Sequence, residues 1–215
     1  MPAIEILITF TIAALLLNIS PGPSNLYVIA RSLAQGAKGG IVAAMGLAVG
    51  SLVHVFATVL GLSAIFTHSP TLYTLVKLVG AAYLIYLGVS YWKTKTTPGN
   101  ESVAVVPGKP LRTVFFESIV VEVTNPKTAL FFIALLPQFV VPESGPVALQ
   151  LLVLGIIVTI SAIPCDMMVA LSSSKASDWL LKNKKAQCIQ QRLSGSILMG
   201  MGTYIFAEEI HHSSH

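Results

Sequence analysis

Asn18-Ile19-Ser20-Pro21-Gly22-Pro23 interrupts an apolar run that extends from about Ile4 to Ala30. Proline has no amide N–H, so Pro21 and Pro23 leave the carbonyls of Leu17 and Ile19 without helical partners. Residues ahead of a proline are pushed out of helical geometry, which here affects Ser20 and Gly22. Apolar residues resume at once beyond the interruption, so the run reads as one membrane span broken near mid-depth. An unsatisfied carbonyl is costly in hydrocarbon, so such a break persists only where protein, water or a ligand supplies a donor.

The rest of the chain supports a membrane reading. Charged residues make up 10% of the 215 and apolar types 54%, where a soluble domain carries roughly 25% charge. Nine acids and thirteen bases cannot clothe a soluble globule of this size, and disorder requires the opposite balance. A helix crosses hydrocarbon in about 20 apolar residues. Beyond the first run, stretches of this kind cover about Ile41–Phe66, Leu72–Tyr91, Val114–Val140, Val147–Leu171 and the glycine-rich Leu193–Ile210. The expected fold is therefore an all-α integral membrane protein with six transmembrane helices. No basic segment precedes the first run, and it exceeds an h-region in length, so it reads as a retained span rather than a signal peptide.

Orientation follows from the bases. Arg31 and Lys38 lie between spans one and two, Lys93, Lys95, Lys109 and Arg112 between three and four, and Lys175, Lys182, Lys184, Lys185 and Arg192 between five and six. These eleven of thirteen bases occupy alternate loops, while the opposite loops and both termini hold none. Positive loops stay cytoplasmic, which puts both termini outside and makes the basic pI a matter of topology. A nucleic-acid partner would need those bases on one surface beside a soluble core.

The interruption has an echo. Val123-Thr124-Asn125-Pro126-Lys127-Thr128, in span four, again sets a proline after a short polar residue. Lys77-Leu78-Val79-Gly80 opening span three resembles Arg192-Leu193-Ser194-Gly195 opening span six. Matches in the same order predict a 3+3 duplication: repeat one at about 1–92, a cytoplasmic linker at about 93–112 and repeat two at about 113–210, within a single transmembrane domain at 1–215. Three spans per copy make the repeat inverted, with broken helices 1 and 4. Transporters of this architecture bind at mid-depth, where paired broken helices meet.

Such a site suits a small amphoteric solute. A half-helix N-terminus offers N–H groups and partial positive charge to a carboxylate. Freed carbonyls and a carboxylate side chain can hold an ammonium. Asn18, Asn25 and Asn125 add amides near both breaks. Buried charges are expensive at the bilayer centre, and Glu122 and Lys127, flanking Asn125-Pro126, could pair. Glu122 is the leading proton carrier. Asp166 follows Pro164 near the cytoplasmic end of span five. Glu117 lies about three residues inside span four, where an interfacial role is the plainer reading. His54, in span two, reads as a satisfied interior histidine. The tail His211-His212-Ser213-Ser214-His215 reads as an exposed end, and no phosphate loop is present.

Ser20-Pro21-Gly22-Pro23, Gly36, Gly46, Gly50, Lys77-Leu78-Val79-Gly80-Ala81-Ala82-Tyr83-Leu84 with Gly88, Thr124-Asn125-Pro126-Lys127 and Pro137-Gln138-Phe139 together resemble the LysE/RhtB amino-acid exporter family over nearly the whole chain. The resemblance implies a multi-pass protein of the bacterial inner membrane that exports amino acids or derivatives by proton antiport, and not an enzyme. On that reading Asn18, Ser20, Pro21, Gly22, Pro23, Asn25, Asn125, Pro126 and Lys127 bind substrate at mid-membrane, while Glu122 and Asp166 couple protons. The partners are the solute, protons and the lipid bilayer, with a homo-oligomer left open; no cofactor and no nucleic acid are expected. The alternative is metal or inorganic cation efflux on a similar scaffold through His54, Glu122 and Asp166, which would want more converging ligands than the spans supply. A membrane thiol-relay enzyme would need a cysteine at each break, and Cys165 and Cys188 lie at neither.

Overall fold

The computed structural model describes residues 2–19, 22–93, 107–172 and 184–213; Ser20, Pro21, Lys95, Lys175, Lys182, Ser214 and His215, named above, lie outside these residues. Every regular element among the described residues is helical. The α-helices are α1 (Ile4–Ile19), α2 (Pro23–His68), α3 (Pro70–Lys93), α4 (Leu111–Val123), α5 (Pro126–Leu135), α6 (Val147–Leu171) and α7 (Lys184–Ser213). Short 3-10 turns at Leu136–Phe139 and Pro142–Ser144 join α5 to α6. Helix α1 stops at the first proline motif and α4 at the second. Pro23 and Pro126 then occupy the first turns of α2 and α5, where a missing N–H costs nothing.

A straight helix of 46 residues would measure about 70 Å, more than twice the roughly 30 Å hydrocarbon layer. Helix α2 is not straight. At Gly36 the backbone takes φ 67°, ψ −169°, a region essentially closed to residues with a Cβ. A Cβ built on Gly39 would lie 2.8 Å from the Arg31 carbonyl oxygen, although eight residues of helix span about 12 Å. The limbs 23–35 and 37–68 therefore fold back on each other. The loop expected around Arg31 and Lys38 is absent: both residues are helical, and one glycine makes the reversal.

Small residues fix the directions of the packed helices. A Cβ on Gly50 would lie 2.8 Å from the Ile119 carbonyl and 2.7 Å from Glu122 Cβ, and Gly46 faces Phe115 and Ser118, so limb 37–68 and α4 run parallel. Gly155 meets Val55, Ser51 bonds Thr159 and Gly40 meets Ala170, which makes α6 antiparallel to the same limb. Gly88 faces Gly195 while Gly202 faces Ala81, so α3 and α7 are antiparallel too. Close approach through glycine is how helices associate where lipid supplies no hydrophobic drive.

Pro23–His68, Thr71–Ser90 and Val147–Leu171 are long and apolar enough to cross a membrane, and Leu111–Val123 with Pro126–Phe139 makes a fourth span bent by 47°. Helix α1 is a shorter apolar helix. Span five has the expected bounds. Helix α7 begins nine residues ahead of the expected sixth span and continues past it, and it is not among the helices long and apolar enough to cross a membrane. A large apolar cluster around Phe10, Phe131, Phe132, Leu135, Leu151 and Leu154 fills one half of the molecule. A smaller one, Val28, Ala43, Leu47, Val114 and Ala170, fills the other.

Candidate functional site

The two breaks meet between these clusters. Asn125 is the N-cap of α5: its Oδ1 accepts the Lys127 backbone N–H at 3.0 Å, satisfying one of the donors that a helix start leaves open. Its Nδ2 donates to Ser24 Oγ at 2.8 Å, and the Ser24 hydroxyl donates to Glu122 Oε2. Ser24 lies in the first turn of α2, so a residue of the first break is bonded to two residues of the second. Thr128 donates to the other Glu122 oxygen at 2.8 Å.

The return connection is Lys127. Its Nζ donates to the Leu17 carbonyl at 3.0 Å, the acceptor that a proline at position 21 deprives of a helical donor. A Cβ on Gly22 would stand 3.0 Å from Lys127 Cδ and 3.3 Å from Nζ, so the lysine lies across the glycine at the mouth of α2. Asn25 Nδ2 takes the Asn18 carbonyl at 3.0 Å, and Asn18 Nδ2 donates to Ser161 on α6 at 3.0 Å. The carbonyl freed by Pro126, that of Glu122, receives the Asn125 N–H at 3.0 Å and the His54 Nε2 at 2.9 Å. A carbonyl only accepts, so this ring nitrogen carries the proton.

Around these groups is a cavity of about 50 Å³ lined by Asn18, Gly22, Asn25, Asn125 and Lys127 among the expected substrate residues, and by Glu122 and Asp166. Pro23 and Pro126 shape the backbone without lining it, and Ser20 and Pro21 lie outside the described residues. Leu47, Ala48, Val158 and Ala162 form an apolar wall. Glu122 and Asp166 are buried, and both act on Lys127 through space. Glu122 and Lys127 form no direct ion pair among the described residues: Lys127 reaches across to Leu17, while hydroxyls and an amide hold Glu122. Nor do three His, Cys, Asp or Glu side chains come together to hold a metal ion among those residues, so His54, Glu122 and Asp166 make no cation cage. His54 spends its Nε2–H on the carbonyl.

Sequence reasoning missed Ser24 and Thr128. Each follows its break closely, and a hydroxyl in the first turn after a proline is the signal that would have found them. It also misplaced Arg31. Arg31, expected in a loop, is 3% exposed and donates to Glu117 at 3.0 Å; Lys109 Nζ meets the same carboxylate at 2.5 Å and the Tyr27 hydroxyl meets it at 3.1 Å.

A model of the LysE type translocator family matches residues 15–209. The chain is 32% identical over 203 residues to the uncharacterized membrane protein YrhP of Bacillus subtilis, covering 91% of this chain and 96% of that one. It is 26% identical over 193 residues to a leucine efflux protein of Salmonella typhimurium, covering 89% and 90%. It is 28% identical over 200 residues to a homoserine/homoserine lactone efflux protein of the same organism, covering 91% and 93%. No solved structure matches the chain. With its apolar helices, the chain is a multi-pass membrane protein.

Proposed function

The chain belongs to the LysE type translocator family, and from that premise we propose that it exports a small amino acid or amino-acid derivative across the bacterial inner membrane in exchange for protons. The observation that carries this reading is the reciprocal bonding of the two breaks around one cavity, Lys127 to Leu17 in one direction and Ser24 to Glu122 in the other. The two relatives named above for leucine and homoserine efflux support an amino-acid cargo.

The chemistry fits an amphoteric guest. Helix α2 opens at Gly22 with no side-chain cap, so its first N–H groups and the Lys127 ammonium beside them offer a seat for a carboxylate. Glu122 and Asp166 offer one for the ammonium. The cavity pairs two carboxylates with one lysine, which leaves one negative charge for a proton when the site is empty or for the cargo's ammonium when it is loaded. Competition for that charge is the proposed source of antiport. About 50 Å³ is one or two waters at roughly 30 Å³ each, against the roughly 300 Å³ at the low end for a ligand pocket. Cargo therefore enters only when the breaks part, and access alternates.

The inverted repeat has structural support in the same terms. The proline motifs are offset by about 105 residues and the openings of spans three and six by about 115. Between these lie the two positive-φ glycines among the described residues, Gly36 (φ 67°, ψ −169°) and Gly145 (φ 133°, ψ −171°), each in the turn that follows a broken helix. Elements that correspond under the repeat also pack in antiparallel pairs: limb 37–68 with α6, and α3 with α7. In this reading α1 with limb 23–35 is span one, α4 with α5 is span four, and the Arg31 end faces the cytoplasm.

Cells overproducing the protein, loaded with dipeptides, test the function. The expected result is faster release of one or a few free amino acids, lost in Glu122→Gln. Release no faster than from cells lacking the protein sinks the proposal. A reporter active only outside the cytoplasm, fused after His215, is expected to be active; silence would invert or shorten the arrangement of spans.

A further inference from the structure

We propose that limb 23–35 is the cytoplasmic gate of the transport path and that Glu117 is its latch. The limb is a rod between two special backbone points, the first break at one end and Gly36 at the other. A Cβ built on Gly36 would meet nothing within 4 Å, so no side chain packs against the turn on that side. Near the break the rod carries Ser24, bonded to Glu122 at the cavity. Near Gly36 it carries Arg31 and Gln35; Arg31 reaches across to α4 of the second repeat and to the linker ahead of it, and Gln35 reaches that linker. Arg31 donates to Glu117 at 3.0 Å and to the Pro107 carbonyl at 3.3 Å. Gln35 forms two bonds with the backbone of Lys109, donating to its carbonyl at 2.7 Å and accepting its N–H at 3.2 Å. Glu117 precedes Glu122 by five residues on α4, about 7.5 Å along the helix, so the latch closes the way from the cavity toward this end.

The opposite end is closed differently. There Tyr73 donates to the Pro137 carbonyl at 3.1 Å, Phe66 packs against Tyr73, Phe10 packs against Phe139 and the larger apolar cluster fills the space. Both ion pairs among the described residues fall instead on Glu117. Of the two pairs, Lys109–Glu117 has both members partly exposed and is weak and readily exchanged for water, so the buried Arg31 depends on a carboxylate that water can reach. Parting an apolar cluster instead exposes surface that water penalises. The closed latch is also imperfect. Arg31 Nε is buried with no partner, a cost that opening would relieve. A rod held by replaceable charges at one end and hinged at both is built to swing.

The inference rests on the cavity and orientation proposed above, but its test needs no substrate, so failure of export and failure of the gate are separable. Cys165 and Cys188 are replaced by alanine and a reporter cysteine is placed by Ala162→Cys on the cavity wall. Inside-out vesicles are then exposed to a membrane-impermeant, charged thiol reagent. Glu117→Gln is expected to speed labelling from this face by roughly tenfold. Lys109→Gln, which removes the more exposed partner, is expected to speed it by about twofold, and it keeps the test alive if Glu117→Gln does not insert. Rates in both variants equal to the parent's, or acceleration only from the external face, would overturn the gate.

Discussion

At the second break the chain caps itself: Asn125 covers the Lys127 N–H from its own side chain, and Glu122 hands its freed carbonyl to Asn125 and His54. At the first break Gly22 opens α2 bare, and the freed Leu17 carbonyl is covered by Lys127 from the second break. Two motifs of similar sequence thus serve different ends. The second covers its N-cap from its own side chain and its freed carbonyl partly from within, while the first relies on Lys127 for the Leu17 carbonyl and so can be opened by anything that draws that lysine away. On the inverted-repeat reading proposed above, this asymmetry would give one copy the role of frame and the other the role of moving part.

The strongest way to break the comparison is Lys127→Gln, which strips the first break of its borrowed donor and leaves Glu122 and Asp166 facing each other without a cation. Removing one member of a buried charged set costs about 3–5 kcal/mol. Export at background and a marked drop in apparent Tm in detergent are expected. A variant that melts with the parent would mean that the lysine contributes nothing to the joint. Next in size is Gly36→Ala, which forces a Cβ into glycine-only backbone at a cost of about 1–3 kcal/mol. It should lower both Tm and export, although Gly36 touches neither break. An unchanged Tm would remove the turn from the moving part.

Much of this frame was legible because it rests on proline chemistry, which is local. The prolines fix where helices end, so the interruptions after Ile19 and after Val123 fall where the motifs lie, and Val147–Leu171 has the expected bounds. Arg31 was not legible. A base beside a span looks like a loop charge, and only the fold reveals that Gly36 turns the chain within one residue and leaves Arg31 helical and buried against Glu117. Lys127 was half legible. Its depth demanded a partner, but that partner is a backbone carbonyl on another helix rather than the nearest carboxylate in sequence, because a flexible four-carbon stem reaches whatever acceptor tertiary packing brings close. His54 was legible as a satisfied histidine, but its acceptor was not, since that acceptor is a carbonyl on another helix.

Asn125→Ala probes the frame itself. Loss of an N-cap costs about 1 kcal/mol, within about 0.5–2, and the bond to Ser24 goes with it. Apparent Tm should fall by a few degrees, while Asn125→Asp, which can still cap, should recover most of the loss. Equal losses in the two variants would show that the cap is not what Asn125 contributes.

Gly22→Ala is the smallest expected change and the sharpest contrast. At φ −165° and ψ 175° the backbone is extended and any residue adopts it, so no strain enters. The added methyl would meet Lys127 Cδ at 3.0 Å and Nζ at 3.3 Å, and the far end of a flexible side chain can give by a few tenths of an ångström. Stability should change by less than about 0.5 kcal/mol, as for substitutions that create no strain, cavity or orphaned polar group. Transport should respond more, because the methyl edges the ammonium off the Leu17 carbonyl: a rise of roughly fivefold in the substrate concentration for half-maximal export is about 1 kcal/mol. If Gly22→Ala instead melts as early as Asn125→Ala with export kinetics intact, the first break is a rigid joint like the second, and the division between frame and moving part collapses.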